Sequence, residues 1–251
     1  MELDPRVKSA ALRYLPSWVV ARLDPVAHHL EQAVAEFARR RQPGETILDA
    51  GCGENRFRAL FARCRCWGYD RGIGDARWDY GRIDIRGALE ALAVRPAALD
   101  GAICLVVLEH LPHPDRFLAE LSRALKPGGE LLLAVPLLWE VHQRPHDYFR
   151  FTRPGIALLL EEAGFEIVRC EPMGGFFTLM ARRSVNCLSF FQGSWKWPLF
   201  VLLAPWLGLV LPLLLPALDR LDSNRDFTLG YEVLARRQGI RPSGLASSAR
   251  L

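Results

Sequence analysis

The stretch Ile47-Leu48-Asp49-Ala50-Gly51-Cys52-Gly53-Glu54-Asn55-Arg56 decides the fold. A short apolar run, Thr46–Asp49, ends on an acid and enters two closely spaced glycines. Gly51 and Gly53 permit a tight turn and a close approach of backbone to a ligand. A buried strand that leads through such a turn into a helix opens a strand–helix–strand unit, and the rest of the chain extends that unit in both directions.

Upstream, Val26 to Arg41 has helical periodicity. Val26, Leu30, Ala33, Val34 and Phe37 share one face, Arg39–Arg41 favour the C-terminal end of the dipole, and Pro43-Gly44 stops the helix. Downstream, Arg56–Arg63 reads as a helix, Cys66–Asp70 as a strand ending in an acid, and Trp78–Asp84 as a weaker strand also ending in an acid. Gly101–Leu108 is a near-continuous apolar run, as in a strand buried on both faces. Pro114–Leu125 is an amphipathic helix, Lys126-Pro127-Gly128-Gly129 a turn and Glu130–Val135 a second buried strand. Thr152–Ala163 is a helix with Thr152 as N-cap and Gly164 as its stop, followed by the strand Phe165–Glu171 and a last strand at Leu229–Arg236. Strands alternating with helices predict a doubly wound, mostly parallel α/β sheet, in which ligands bind beyond the carboxyl ends of the strands.

Composition sets the outer bounds. The 251 residues are 50% hydrophobic and 24% charged, with a net charge of +4. That is ample for a core and excludes global disorder, while the mild basic excess gives no reason to expect nucleic acid as a partner. The six cysteines form neither a C-x-x-C pair nor a usual zinc spacing, so no disulfide framework and no metal site are expected, and a reducing compartment is the default. Residues 1–15 lack a sustained apolar stretch, so the expectation is a cytoplasmic protein without a signal peptide.

The turn also indicates its ligand. Asp70, ending the second strand, lies about 20 residues beyond the glycines, where a carboxylate reaches a ribose hydroxyl pair. A dinucleotide turn wants a third glycine where Arg56 stands, and Asp49 would repel phosphates. Asp49 would instead receive an ammonium. A cofactor with an amino acid at one end and a ribose at the other is S-adenosylmethionine.

Asp49-x-Gly51-x-Gly53, then Asp70, then Asp84-Ile85, together with Leu108-Glu109-His110-Leu111 and Leu125-Lys126-Pro127-Gly128-Gly129, resembles the class I S-adenosylmethionine-dependent methyltransferases. The resemblance covers roughly residues 45–170 and the final strand. It implies a seven-stranded Rossmann-like sheet, with the methionine end of the cofactor at Asp49, Gly51, Cys52 and Gly53, the ribose at Asp70, the adenine edge at Asp84 and Ile85, and His110 beside the adenosine. Asn55 stands where the family often has a further glycine, and asparagine tolerates the left-handed backbone that position needs. An NAD-dependent oxidoreductase and a non-catalytic adaptor that kept the cofactor fold are the rivals.

The resemblance places the acceptor near the ends of the fourth and fifth strands. His110, His142 and His146 lie there, and a base with a pKa near neutral suits an oxygen or nitrogen acceptor. His146-Asp147 reads as an oriented base, His142 as an alternative, and Arg144 or Arg150 as a holder of a carboxylate or phosphate on the acceptor. The acceptor class stays open among small molecules, lipids and glycans.

An apolar insertion, 174–226, separates the last two strands. Gly174–Phe191 looks helical and is interrupted by Arg182-Arg183; Trp197 to Leu218 then runs without a charge, flanked by Lys196 and Arg220. About 20 apolar residues can span a bilayer. Pro198, Pro205, Pro212 and Pro216 are expected to break a straight span, and the final strand must rejoin its sheet. The expectation is a shallow hairpin on the inner face of a membrane, with a packed helical layer as the alternative. The oligomeric state is open, and the tail, 238–251, reads as disordered.

Overall fold

The computed structural model describes residues 16–74, 78–193 and 195–239. The expectations for residues 1–15 and for most of the tail lie outside them.

The strands are β1 (Thr46–Ala50), β2 (Arg65–Asp70), β3 (Ile85–Arg86), β4 (Leu99–Leu105), β5 (Leu125–Pro136), β6 (Phe165–Pro172) and β7 (Gly230–Arg237). They form one seven-stranded sheet in the order β3-β2-β1-β4-β5-β7-β6. β1 to β5 pair in parallel, whereas β7 is antiparallel to both β5 and β6. The order reverses at β1 and β4, which opens a crevice above their carboxyl ends.

Helices cover both faces. The alternation along the central strands separates two cores. Leu48, Ala102, Leu131, Leu133, Val233 and Ala235 face α3 (Pro114–Ala124) and α4 (Arg153–Glu162). Ile47, Ile103, Leu132, Ala134 and Leu234 face α2 (Pro25–Arg39), which follows the short α1 (Ser17–Leu23). Thr152 caps α4 as read from the sequence, its hydroxyl accepting the Gly155 N–H at 3.1 Å, and Gly164 ends it at φ +83°.

Two sequence expectations are corrected. Arg56–Arg63 holds only a 3₁₀ turn at Arg58–Phe61, where Phe57 and Phe61 alone are buried and the Arg58 side chain pairs with Asp84. The strand expected at Trp78–Asp84 is a 3₁₀ turn at Tyr80–Arg82, begun by Asp79 accepting from Gly81 N–H, and pairing starts only at Ile85.

The described part of the insertion is mostly helical. α5 (Phe176–Cys187) continues as a 3₁₀ turn to Phe191, and the chain returns along α6, a helical run over Trp197–Leu221. The prolines do not fold α6 back on itself. Pro198 sits in its first turn, where no N–H is needed, and Pro205 adjoins a π-turn at Trp206–Val210. Pro212 and Pro216 each begin a new short helical piece. The hairpin therefore has α5 as one limb and α6 as the other, instead of lying within residues 197–218.

The hairpin is closed by a cap. Asp219 accepts the backbone N–H groups of Gly175, Phe177 and Thr178 and the Thr178 hydroxyl, while Asp222 accepts the Phe176 N–H. Carboxylates at the end of α6 thus satisfy the free N–H groups of the first turn of α5 and meet the positive end of its dipole. Both ends of the insertion are pinned at one edge of the sheet.

Candidate active site

The first half of the site is the turn after β1. Gly51 has φ +80°, and a Cβ there would stand 2.4 Å from a Val107 methyl; Gly53 has φ +51°. Asn55 takes φ +54°, the left-handed geometry expected of it, is buried, and donates from Nδ2 to the Arg82 carbonyl at 2.9 Å. Asp70 ends β2 and its carboxylate accepts the Gly53 N–H at 2.9 Å and the Gly72 N–H at 2.7 Å. Each oxygen retains lone pairs for hydroxyl donors, so the carboxylate that shapes the turn is also able to hold a ribose.

Asp49 is buried under the same turn, and burial pushes its carboxyl up to about 7, with nearby Arg56 pulling it down and Asp70 adding to the rise. A buried carboxyl held near neutrality suits an incoming ammonium, which would restore its charge. Cys52 is buried beside it, and burial together with Asp49 keeps its thiol protonated. Arg56, in the slot where a dinucleotide turn keeps glycine, is exposed and lies over the Phe57 ring at 4.4 Å.

Asp84 is engaged by the protein itself. Its oxygens take both contacts from Arg58 Nη1, at 2.8 and 2.9 Å, and the Gly68 N–H at 2.8 Å. Burial opposes its ionisation, but the Gly68 N–H and the Arg58 guanidinium outweigh that and hold its carboxyl below the usual range. The residue braces β2 against the turn before β3. Ile85 pairs with Tyr69 at the start of β3.

The second half lies after β4 and β5. Glu109 follows β4 in a 3₁₀ turn and is fully buried. Its backbone carbonyl accepts the N–H groups of Tyr148 and Phe149, which ties the loop after β5 down onto it. Burial pushes the Glu109 carboxyl up to about 8, against a lowering by its own backbone N–H and Arg150. His110 and His142 flank it, each with Nε2 3.7 Å from Glu109 Oε1, and their rings meet edge-on at 4.7 Å. The His110 pKa is lowered, chiefly by burial. His110 therefore faces Glu109 and His142.

Asp147 and Arg150 are found together, as read, but in supporting roles. Arg150 directs all five of its N–H groups at protein oxygens: Trp139 O, Phe149 O, Glu140 O and both oxygens of Asp147. It has no donor left for a substrate anion. The Arg150 hydrogen bonds hold the Asp147 carboxyl far below its usual range. Asp147 in turn accepts the His142 backbone N–H at 2.8 Å and lies 3.4 Å from His142 Nδ1. The oriented histidine is thus His142, whereas His146 is exposed and pairs through Nδ1 with the Tyr148 hydroxyl at 3.0 Å. Sequence reading missed Glu109 as a site residue; its only signal was an acid beside His110 at the end of a buried strand.

The insertion reaches this half directly. Arg183 Nη1 contacts Glu140 at 2.7 Å, Arg182 contacts it at 3.5 Å, and the Arg182 guanidinium lies 4.9 Å over Trp139. The two arginines that interrupt the apolar pattern of α5 therefore clamp the loop that carries His142.

Comparison with known proteins agrees with this geometry. A family model described as a methyltransferase domain matches residues 24–169. The ubiquinone biosynthesis O-methyltransferase of Burkholderia pseudomallei is 29% identical over 186 residues, covering 60% of this chain and 79% of its own length. The enzyme of the same name from Xylella fastidiosa is 28% identical over 203 residues, covering 64% and 80%. Phosphoethanolamine N-methyltransferase 2 of Haemonchus contortus, solved with S-adenosyl-L-methionine, shares the fold at a TM-score of 0.52 and 18% identity, over 83% of this chain and 52% of that one. With the family model covering more than half of the chain, and with a turn that suits an ammonium and a ribose but not a pyrophosphate, the chain belongs to the S-adenosylmethionine-dependent methyltransferases and takes its methyl group from that cofactor.

Proposed function

We propose that the enzyme methylates a hydroxyl oxygen on a small acceptor dissolved in, or anchored to, a membrane, and that α6 rests on the surface of that membrane. The observation that carries the reading is the exposure of α6. It spans 25 residues, and its most apolar 18-residue stretch has a mean hydropathy of 2.3 with only 6% of that stretch buried. Trp197, Leu202, Trp206 and Leu214 are each more than half exposed, and Trp195 is 81% exposed. A patch of this size marks a contact surface on a soluble domain. Tryptophans with flanking Lys196 and Arg220 suit the interface between headgroups and acyl chains.

The hairpin argues for lying on the bilayer and against crossing it. α5 packs Leu179 against the sheet and holds Arg182 and Arg183 on Glu140. A crossing by α6 would carry α5 and its arginines across as well. An in-plane α6 places the clamped loop, and with it His142, close to the lipid.

Bound S-adenosylmethionine supplies a sulfonium methyl, which needs in-line approach more than chemical activation. Asp49 and Asp70 hold the cofactor's amino acid and ribose ends. The Glu109–His110–His142 cluster receives the reacting end of the acceptor, with Asp147 and Arg150 as positioning residues. His146 and Tyr148 stand at the rim. The O-methyltransferase names of the Burkholderia and Xylella relatives support an oxygen acceptor.

Vesicle flotation of the full chain tests the surface contact, with residues 195–220 replaced by a short Gly/Ser linker as the control. The wild type is expected with the vesicles and the replacement in the soluble fraction. Wild type that stays soluble and monodisperse without lipid or detergent refutes the membrane reading and favours a packed helical layer.

A further inference from the structure

Glu109, His110 and His142 come from two loops and converge on one point. Their ligand atoms lie within 4.8 Å of one another. Both Glu109 oxygens and the Nε2 atoms of both histidines are buried and have no hydrogen-bond partner. The tautomers explain why. His110 Nδ1 meets the His146 carbonyl at 2.5 Å, and His142 Nδ1 meets the Glu140 carbonyl at 3.1 Å. A carbonyl only accepts, so each Nδ1 carries the proton and each Nε2 presents a lone pair. Two lone pairs and a carboxylate therefore face each other with no donor between them. One proton shared by the carboxylate would serve only one imidazole, and the 3.7 Å separations are too long for a direct hydrogen bond.

We propose that Glu109, His110 and His142 bind a divalent first-row transition metal ion, such as zinc or manganese. Two imidazoles and one carboxylate are a common ligand set for such ions. Ligands about 2.1 Å from a shared ion stand roughly 3–3.5 Å apart, so the two Glu109–His separations of 3.7 Å close slightly on binding, and every pair in the set starts within 4.8 Å. The outer partners are already present. A metal-bound histidine ordinarily donates its second ring N–H to a carbonyl or carboxylate, as both histidines do here, and the Asp147 carboxylate lies against His142. The pair in Glu109-His110 is adjacent in sequence, whereas His142 arrives from another loop, so no ligand spacing announced the site.

The site's role rests on the oxygen-acceptor reading above, although ion binding does not. A bound ion takes up both Nε2 atoms. It then acts as a Lewis acid on the acceptor hydroxyl, whose proton leaves through His146 or solvent.

The test uses the full chain stripped with a chelator and titrated separately with Co²⁺, Zn²⁺ and Mn²⁺. Stoichiometric binding is followed by calorimetry and, for Co²⁺, by visible absorption. One ion per chain is expected. Glu109→Gln and His142→Ala should each weaken binding by at least about tenfold, and S-adenosylmethionine titration of the same samples reports that the fold is intact. Failure of the stripped wild type to bind any of the three ions while it still binds S-adenosylmethionine overturns the proposal. So does binding that both variants leave unchanged, which would place the ion elsewhere. Ion binding without any effect on O-methylation would retain the metal site and refute only the Lewis-acid role of the ion.

Discussion

The two halves of the crevice are built differently. Beyond β1 and β2, the cofactor half is held by short-range and backbone contacts: Asp70 on Gly53 and Gly72, Asn55 on Arg82, Asp84 on Gly68. Beyond β4 and β5, the acceptor half is tied down by the Glu109 carbonyl and braced by side chains that come from distant elements. Glu109 faces His142, Glu140 faces Arg182 and Arg183, and the start of α5 is capped by Asp219. In the proposed reading the first half binds one fixed molecule. The second is assembled around loops and an insertion, which is where an acceptor preference can vary without disturbing the cofactor.

The sharpest way to break this contrast is to alter the backbone of the cofactor half. Gly51→Ala puts a methyl 2.4 Å from Val107 at φ +80°. Left-handed strain and overpacking together should cost about 2–5 kcal/mol in stability or cofactor affinity. Denaturant unfolding and calorimetry with S-adenosylmethionine would register it. A variant with wild-type values in both would show that the turn is not a rigid cradle. Next in size is Asp70→Ala, expected to weaken S-adenosylmethionine binding by about 1–3 kcal/mol through loss of charge-assisted bonds to ribose hydroxyls. Unchanged affinity would remove Asp70 from the ribose site.

The same contrast explains what the sequence revealed. The alternation of strands and helices, the glycine turn and the acid ending β2 are local patterns with fixed spacing, and so is the left-handed role of Asn55. The Arg58 partner of Asp84 was not legible, because the neighbours of Asp84 in sequence say nothing of it. Arg150 looked like an anion holder because its five acceptors lie partly on another segment of the loop. The course of α6 was misread for a related reason. Four prolines predict breaks, but three of them begin helical pieces, where a missing N–H does no harm. Glu109 was hidden because the feature that marks it, burial without a partner, exists only once two loops have met.

Two further tests separate cap from site. Asp219→Ala removes the acceptor for the first turn of α5 and should destabilise the chain by about 1–2 kcal/mol while leaving cofactor affinity alone. Equal loss of both would mean that the insertion also shapes the cofactor half. The pH dependence of cofactor binding probes Asp49. Its carboxyl in the free enzyme titrates near 7 because of burial, and an ammonium beside it lowers that value. Binding then releases a proton below pH 7, so affinity should rise about tenfold per pH unit toward 7 and flatten above it. Proton release is measured by calorimetry in buffers of different ionisation enthalpy. Flat affinity from pH 5 to 8 would place the ammonium elsewhere.

The smallest expected effect is also the one that joins the two halves of the argument about membranes. Arg183 is about one-third exposed, as is Glu140, so their ion pair is screened by solvent and worth at most about 1 kcal/mol. Arg183→Ala should therefore barely move the unfolding midpoint, and S-adenosylmethionine should bind as before, because no contact of Arg183 reaches the turn after β1. The loop after β5 is another matter. Arg183 also donates to the Leu138 carbonyl, and Glu140 offers the backbone carbonyl that fixes the His142 tautomer. Loosening that segment should raise the apparent KM for an acceptor presented in vesicles several-fold, with a smaller change for the same acceptor in detergent, since only the vesicle fixes α6 relative to the loop. An equal change in both media would reduce Arg183 to a local brace. A loss of cofactor affinity would show that the two halves are coupled after all.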